Sequence, residues 1–270
     1  AVFPLRQGFF VLFINPQSRS IDKAALFYYN VGIHLNGLEK KKMTDKKTAL
    51  IAMSGGVDSS VAAYLTVQNG FTCMGTTMRL YRHDGTTDEN PNACSSSKDI
   101  EDAAEIARKL NIPYEVLDFT FDFKEKIVAK FISTYEAGGT PNPCVDCNRC
   151  MKFNKLMYYV VTGHYARVVE ENGRFLLKKA LDLSKDQSYV LYSLSQEQLK
   201  HTLFPLGETE KTVTRKLAKE HGFLNYEKPD SQDICFIPDG DYVKFMEEYT
   251  GKQYPDGDFL DKDGKVIGKH

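Results

Sequence analysis

The run Ser54-Gly55-Gly56-Val57-Asp58-Ser59-Ser60 has the residue types of an anion site. Its two glycines let the backbone approach a ligand closely, and a helix starting just after them leaves its first N–H groups unpaired and pointing at whatever sits above. The hydroxyls of Ser54, Ser59 and Ser60 add donors. No Lys follows the glycines, so this is not the lysine-bearing loop of the common NTPases, and the phosphate it handles need not be the terminal one. A second chemical set is thiol: Cys73, Cys94, Cys144, Cys147, Cys150 and Cys235. Without a secretory context these thiols are expected to be reduced, so the Cys144, Cys147, Cys150 cluster points to thiol chemistry or metal rather than a disulfide scaffold. Cys73 falls in an apolar strand and is expected to be core.

Elements that position these residues follow from the hydrophobic pattern. Thr48 to Met53 reads as a strand, Ser59 to Gln68 as a helix and Phe71 to Arg79 as a second strand. Tyr81 to Asn92 is polar and turn-rich, a loop. Ser97 is expected to cap a helix whose apolar face runs through Ile100, Ala103, Ile106 and Ala107, with acids at its favoured N-terminal end. Tyr114 to Leu117 is a third strand, Phe123 to Glu136 a helix stopped by Gly138-Gly139, and Tyr158 to Thr162 a fourth strand. The prolines of Thr140-Pro-Asn-Pro-Cys144 are expected to keep the cysteine segment out of a helix, as a presented loop. Cys235 is expected in a short apolar strand between Pro229 and Pro238. Strands alternating with helices predict a parallel α/β sheet with its ligand at the strands' carboxyl ends.

Composition bounds the rest. The 270 residues are 42% hydrophobic, enough for a real core, and no apolar run approaches the roughly 20 residues of a membrane span. No membrane partner and a cytoplasmic location are expected. Residues 1–42 stand apart with six basic against two acidic side chains, and are expected to be an extension outside the fold or an organelle-targeting segment. The remainder is acidic, 29 basic against 34 acidic residues, which is unusual for a protein that grips nucleic acid unless a local basic face supplies the contacts.

The Ser-Gly-Gly-x-Asp-Ser turn resembles the PP-loop of the ATP pyrophosphatases, which split ATP to AMP and pyrophosphate. Behind it come, in order, Asn142-Pro-Cys-Val-Asp-Cys-Asn148, Thr162-Gly-His-Tyr-Ala-Arg167, Lys185-Asp-Gln-Ser-Tyr189, Leu203-Phe-Pro-Leu-Gly207 and Lys228-Pro-Asp-Ser-Gln-Asp-Ile-Cys-Phe-Ile237. Together these motifs resemble the tRNA-specific 2-thiouridylase family, over about Thr48 to His270. The resemblance implies an ATP- and Mg2+-using sulfurtransferase that replaces the C2 oxygen of wobble uridine in lysine, glutamate and glutamine tRNAs. It implies ATP contacts at Ala52, Met53, Ser54, Gly55, Gly56, Val57, Asp58, Ser59, Met78 and Gly163. Cys147 matches the family's nucleophile and Cys235 its persulfide carrier. Asn142, Pro143 and Cys144 match the target-base contact, and His164, Lys185, Asp186 and Gln187 the tRNA contacts. Implied partners are tRNA and sulfur-relay proteins fed by a cysteine desulfurase. A PP-loop domain over 43–205 and a smaller mixed α+β domain over 206–270 carrying Cys235 are expected, with the family's C-terminal β-barrel missing.

Departures keep rival readings open. Many family members carry Asp at the position of Cys144, so Cys144, Cys147 and Cys235 are alternatively ligands of an iron–sulfur cluster in a cluster-dependent sulfurtransferase, or of zinc in a non-catalytic tRNA-binding module. Another PP-loop enzyme that adenylates a different substrate is a further alternative. Between Cys150 and Tyr158 the chain is shorter than the resemblance implies.

Overall fold

The computed structural model describes residues 48–80, 96–153, 159–230, 234–237 and 240–269. The readings on residues 1–42, on the 81–92 loop, on Cys94 and on the short stretch before Tyr158 lie outside these. The apolar run at Thr48 forms β1 (Thr48–Ala52), whose three central residues are buried. After the glycine turn comes α1 (Val57–Gln68), then β2 (Thr72–Arg79), α2 (Ser97–Lys109) and β3 (Tyr114–Asp118). A helical run follows as α3 (Thr120–Phe123), a π turn over Lys124–Val128 and α4 (Ala129–Glu136), and it ends before Gly138, whose φ of +77° suits glycine.

Further on lie α5 (Pro143–Cys147), β4 (Tyr159–Val161), the hairpin of β5 (Ala166–Glu171) and β6 (Arg174–Lys179), and α6 (Gln196–Lys200). The described chain closes with β7 (Thr202–Leu203), α7 (Lys211–Glu220), α8 (Tyr242–Thr250) and a second hairpin, β8 (Asp258–Leu260) with β9 (Val266–Lys269).

The main sheet has the order β3-β2-β1-β4-β7, and every neighbouring pair in it is parallel. This is the parallel α/β sheet expected. Its consequence is positional, because parallel strands deliver all their carboxyl ends to one edge. The glycine turn after β1, Met78 near the end of β2 and the Gly163 turn after β4 therefore share that edge.

Three local expectations need correction. The N-cap of α2 is Ser96, not Ser97: Ser96 Oγ accepts from Asp99 N at 3.1 Å while the Asp99 carboxylate accepts from Ser96 N, a reciprocal pair that needs an acceptor side chain three residues on. The cysteine segment is helical, since Pro143 sits in the first helical turn, where its missing N–H costs nothing, and the Asn142 side chain accepts from Val145 N. The helix continues as a π turn over Asn148–Lys152. Cys235 lies in a turn rather than a strand, closed by Ile237 N donating to Ile234 O at 2.9 Å.

The interior divides into three apolar clusters. One joins β1 and α1 to α2 and, from the far end of the chain, to Leu206, Ala218 and Phe223. A second gathers Phe123, Phe131, Phe236 and Met246 around Cys147, and the third packs Val160 and Ala166 against Val190 and Leu191. Among the described residues no helix is long and apolar enough to cross a membrane.

Candidate active site

The nucleotide end begins where β1 stops. Met53 N still donates to Thr76 O, and Thr77 Oγ1 donates to Met53 O at 2.7 Å, so the turn starts from a fixed edge. Gly55 takes a φ of +75°, and a Cβ there would stand 2.4 Å from the backbone oxygen of Asp99. Only glycine fits. Gly56 caps α1 in an extended conformation and makes no side-chain cap bond to the first-turn N–H groups. That is the donor set an anion requires.

All three serines bond within the loop: the Ser59 and Ser60 hydroxyls donate to Gly56 O at 3.0 Å, and Ser59 Oγ accepts from Ser54 N and from Ser54 Oγ at 3.2 Å. Ser54 alone is exposed. Gly163 lies flat on the first turn of α1, where a Cβ would come within 2.7 Å of Asp58 C and Ser59 N. Ala52, Val57 and Met78 complete this edge, and Met78 packs against the cluster that holds Cys147.

Asp58 does not face solvent alone. Lys211 Nζ lies 2.7 and 2.8 Å from its two oxygens, and the Tyr165 hydroxyl donates to it at 3.2 Å. Lys211 also pairs with Asp230 at 2.7 Å, which further receives Lys185 and Arg215. Burial alone would raise the Asp230 acid; the lysines outweigh it and hold the carboxyl below its usual range. Burial, then the charge on Asp58, pushes the Tyr165 phenol up, so it stays a donor. Lys228 Nζ bridges Asp99 and Asp102 at 2.6 and 3.0 Å, and Asn225 Nδ2 donates to Gly55 O at 2.9 Å.

Sequence reasoning missed Tyr165, Lys211, Arg215 and Asn225. No local sequence signal marks them, because they reach the site only through long-range packing.

The residues matched to tRNA contacts sit next to this network. Gln187 Oε1 accepts from Tyr165 N, Asp186 accepts from Ala180 N and Ser188 Oγ, and Lys185 pairs with Asp230. Of the three, Gln187 braces the turn that carries Gly163, through Tyr165 N. His164 Nδ1 bonds Thr162 Oγ1 at 2.7 Å, and burial with the nearby Lys152 charge drives its pKa down to about 3. Its ring is therefore neutral and cannot pair with phosphate as a cation.

At the thiol end, Cys147 is 8% exposed, Cys150 and Cys235 are half-buried against the same apolar cluster, and Cys144 is exposed. Asn148, next to Cys147, donates to Val190 O at 3.1 Å. Phe236 wedges edge-on between Phe123 and Phe131, ring centroids 5.6 and 5.3 Å apart, and so fixes the neighbouring Cys235. Cys73 is buried in β2 and its thiol is pushed up to about 11 by desolvation, as a core cysteine's should be. Among the described residues no group of three His, Cys, Asp or Glu side chains is placed to hold a metal, so the cluster-ligand reading of Cys144, Cys147 and Cys235 gains no support.

Residues 47–239 match the family model described as tRNA methyl transferase HUP domain. The chain belongs to that family. It is also similar to proteins named tRNA-specific 2-thiouridylase MnmA: 46% identical over 232 residues to that of Clostridium acetobutylicum, 45% over 233 to that of Clostridium beijerinckii, and 46% over 234 to that of Clostridioides difficile. Each alignment covers 83% of this chain but only 64–65% of the relative. The chain thus spans less than two thirds of the length of these curated relatives. Among solved structures, NMN synthetase from Francisella tularensis aligns over 87% of this chain and 86% of its own at a TM-score of 0.41 and 16% identity, too loose a likeness to bear on function. The HUP domain match takes in both ends of the site, from the glycine turn to Cys235.

Proposed function

We propose that this chain carries the chemistry of a tRNA-specific 2-thiouridylase. The observation that carries the reading is that Cys147 and Cys235, from distant segments, lie against one apolar cluster, which Met78 joins to the sheet edge bearing the glycine turn. Residues 43–205 would supply the nucleotide site and Cys147, and residues 206–270 would supply Cys235.

ATP fits the glycine turn by its chemistry: a side-chain-free cradle, uncapped N–H groups and the exposed Ser54 hydroxyl receive phosphate oxygens. Mg2+ would enter on those phosphates, the usual arrangement for this ion. The C2 oxygen of uridine is a poor leaving group. Its attack on the α-phosphate releases pyrophosphate and leaves an adenylated oxygen that departs as AMP.

The terminal sulfur of a Cys235 persulfide then attacks C2. The Cys147 thiolate attacks Cys235 Sγ, the S–S bond to the transferred sulfur breaks, and that electron pair becomes the C2 thiocarbonyl. A Cys147–Cys235 disulfide remains, and an external reductant must return it to two thiols. Both cysteines stand in apolar surroundings, which slow adventitious oxidation. The target base must leave its stack to reach them, as in other enzymes that act on a base. Cytoplasmic tRNA is the substrate in this reading, and relay proteins delivering persulfide to the half-buried Cys235 are its partners.

The test separates the two half-reactions. With unmodified glutamate tRNA, a persulfide donor and radiolabelled ATP, Cys147→Ser should still form pyrophosphate, and AMP up to one equivalent, while losing thiolation. Loss of AMP formation in Cys147→Ser with retained ATP binding would contradict the assignment of Cys147 to sulfur release.

A further inference from the structure

The turn that follows the Lys185-Asp-Gln187 bracket presents two aromatic rings to solvent. Ser188–Val190 forms one turn of 3-10 helix, and the chain continues in turn conformation through Ser193. Its two middle residues go inward, Val190 at 6% and Leu191 at 0% exposure, and the residues on either side go outward, Tyr189 at 63% and Tyr192 at 73%. The core anchors of Val190 and Leu191 fix the backbone, so both rings are held at the surface without losing a packed environment. Large rings left this exposed on a well-ordered turn bury no area in the chain itself.

This surface is continuous with the thiol end. Asn148 Nδ2 donates to Val190 O, which ties the turn to the helix carrying Cys147. Arg149, the next residue, is exposed and pairs with Asp146 at 3.1 Å. A planar cation thus lies two residues from Cys147, on the helical run to which the turn with its two exposed rings is tied. Aromatic and guanidinium planes of this kind stack splayed-out bases in single-stranded RNA, whose sequence they need not read. A protein partner would instead call for a wider apolar patch with little charge at its centre.

We propose that Tyr192 and Tyr189, on one turn tied to the helical run that bears Arg149, stack the unpaired nucleotides that flank the target uridine, holding the anticodon loop open over Cys147. The inference rests on the 2-thiouridylase reading and names where that enzyme would grip its RNA. It also explains how a chain with an acidic balance outside residues 1–42 binds tRNA: stacking supplies affinity that phosphate neutralisation does not.

The experiment measures the affinity of the protein for the anticodon stem-loop of unmodified glutamate tRNA by fluorescence anisotropy across a salt series. Tyr192→Ala should weaken binding by roughly five- to a hundredfold, with Tyr189→Ala weaker in effect and Tyr192→Phe within about twofold of wild type. The slope of affinity against salt should not change in the tyrosine variants, since no phosphate contact is lost. ATP binding, read separately, should be unaffected and reports that the fold is intact. Wild-type affinity in both Tyr192→Ala and Tyr189→Ala would overturn this inference alone. No binding of the stem-loop by wild type would overturn it together with the functional reading beneath it.

Discussion

Lys211 Nζ grips both carboxylate oxygens of Asp58, at 2.7 and 2.8 Å, across 153 residues of sequence. The contact locks the helix that follows the glycine turn to the start of α7, and Lys211 reaches on to Asp230 at 2.7 Å. One ammonium thereby serves two acids, and its side chain is 9% exposed.

Replacing Lys211 by Met should leave Asp58 and Asp230 facing each other without their shared cation. Removing one partner of a fully buried pair costs about 3–5 kcal/mol; with both acids partly open to water the expected loss is roughly 2–3 kcal/mol. Urea unfolding measures it. A double variant, Lys211→Met with Asp58→Asn, should recover part of the loss, and a loss below about 0.5 kcal/mol in the single variant would show that the pair is idle.

Gly163→Ala should impair nucleotide binding more than stability. The added Cβ meets the backbone of Asp58 and Ser59 at 2.7 Å, in the first turn of α1, the turn proposed to receive the phosphates. Displacing that turn by a few tenths of an ångström misaims the donors, and an ATP affinity about tenfold weaker or worse is expected by calorimetry. Unchanged affinity would mean that the turn at Gly163 does not support the phosphate site.

His164 gives a pH signature. Its folded pKa is about 3 and its unfolded value about 6.5, so between those limits the unfolded chain binds more protons than the folded one. Stability from this group is complete above pH 6.5 and declines as pH falls toward 3, by at most about 1.4 kcal/mol per pH unit. His164→Gln should flatten the stability profile between pH 6.5 and the acid transition. An unchanged profile would place the titration elsewhere.

Much of this architecture was legible in the residues. The apolar run before Ser54, the glycines and the amphipathic run after them could fold in few ways other than strand, turn and helix, and the alternation beyond them required a parallel sheet. What escaped was of two kinds. Local geometry turned on single offsets: Ser96 rather than Ser97 caps because Asp99 stands three residues from it, and Pro143 starts a helix where a proline one turn later would break one.

Long-range pairing escaped for a different reason. Nothing in the neighbourhood of Lys211, Tyr165 or Asn225 in sequence states that they meet Asp58 and Gly55, since those contacts exist only once α7 packs on α1. The change of texture after Pro205 is visible in the sequence, yet Leu206, Ala218 and Phe223 enter the same apolar cluster as β1 and α1. The thiols show both sides: their motifs and pairing were readable from the resemblance, and the aromatic cluster of Phe123, Phe131 and Phe236 that both pack against was not.

The central claim is that Cys147 and Cys235 act as a pair on a tRNA uridine activated by ATP. Nucleoside mass spectrometry of unmodified glutamate tRNA, incubated with ATP, Mg2+ and a persulfide donor, tests it most directly in wild type, Cys147→Ser and Cys235→Ser. The account predicts 2-thiouridine with wild type and ATP, and none with either variant or without ATP. Formation of 2-thiouridine by the Cys147→Ser variant, or its absence both with this chain and with one extended to the length of the relatives, would contradict the account.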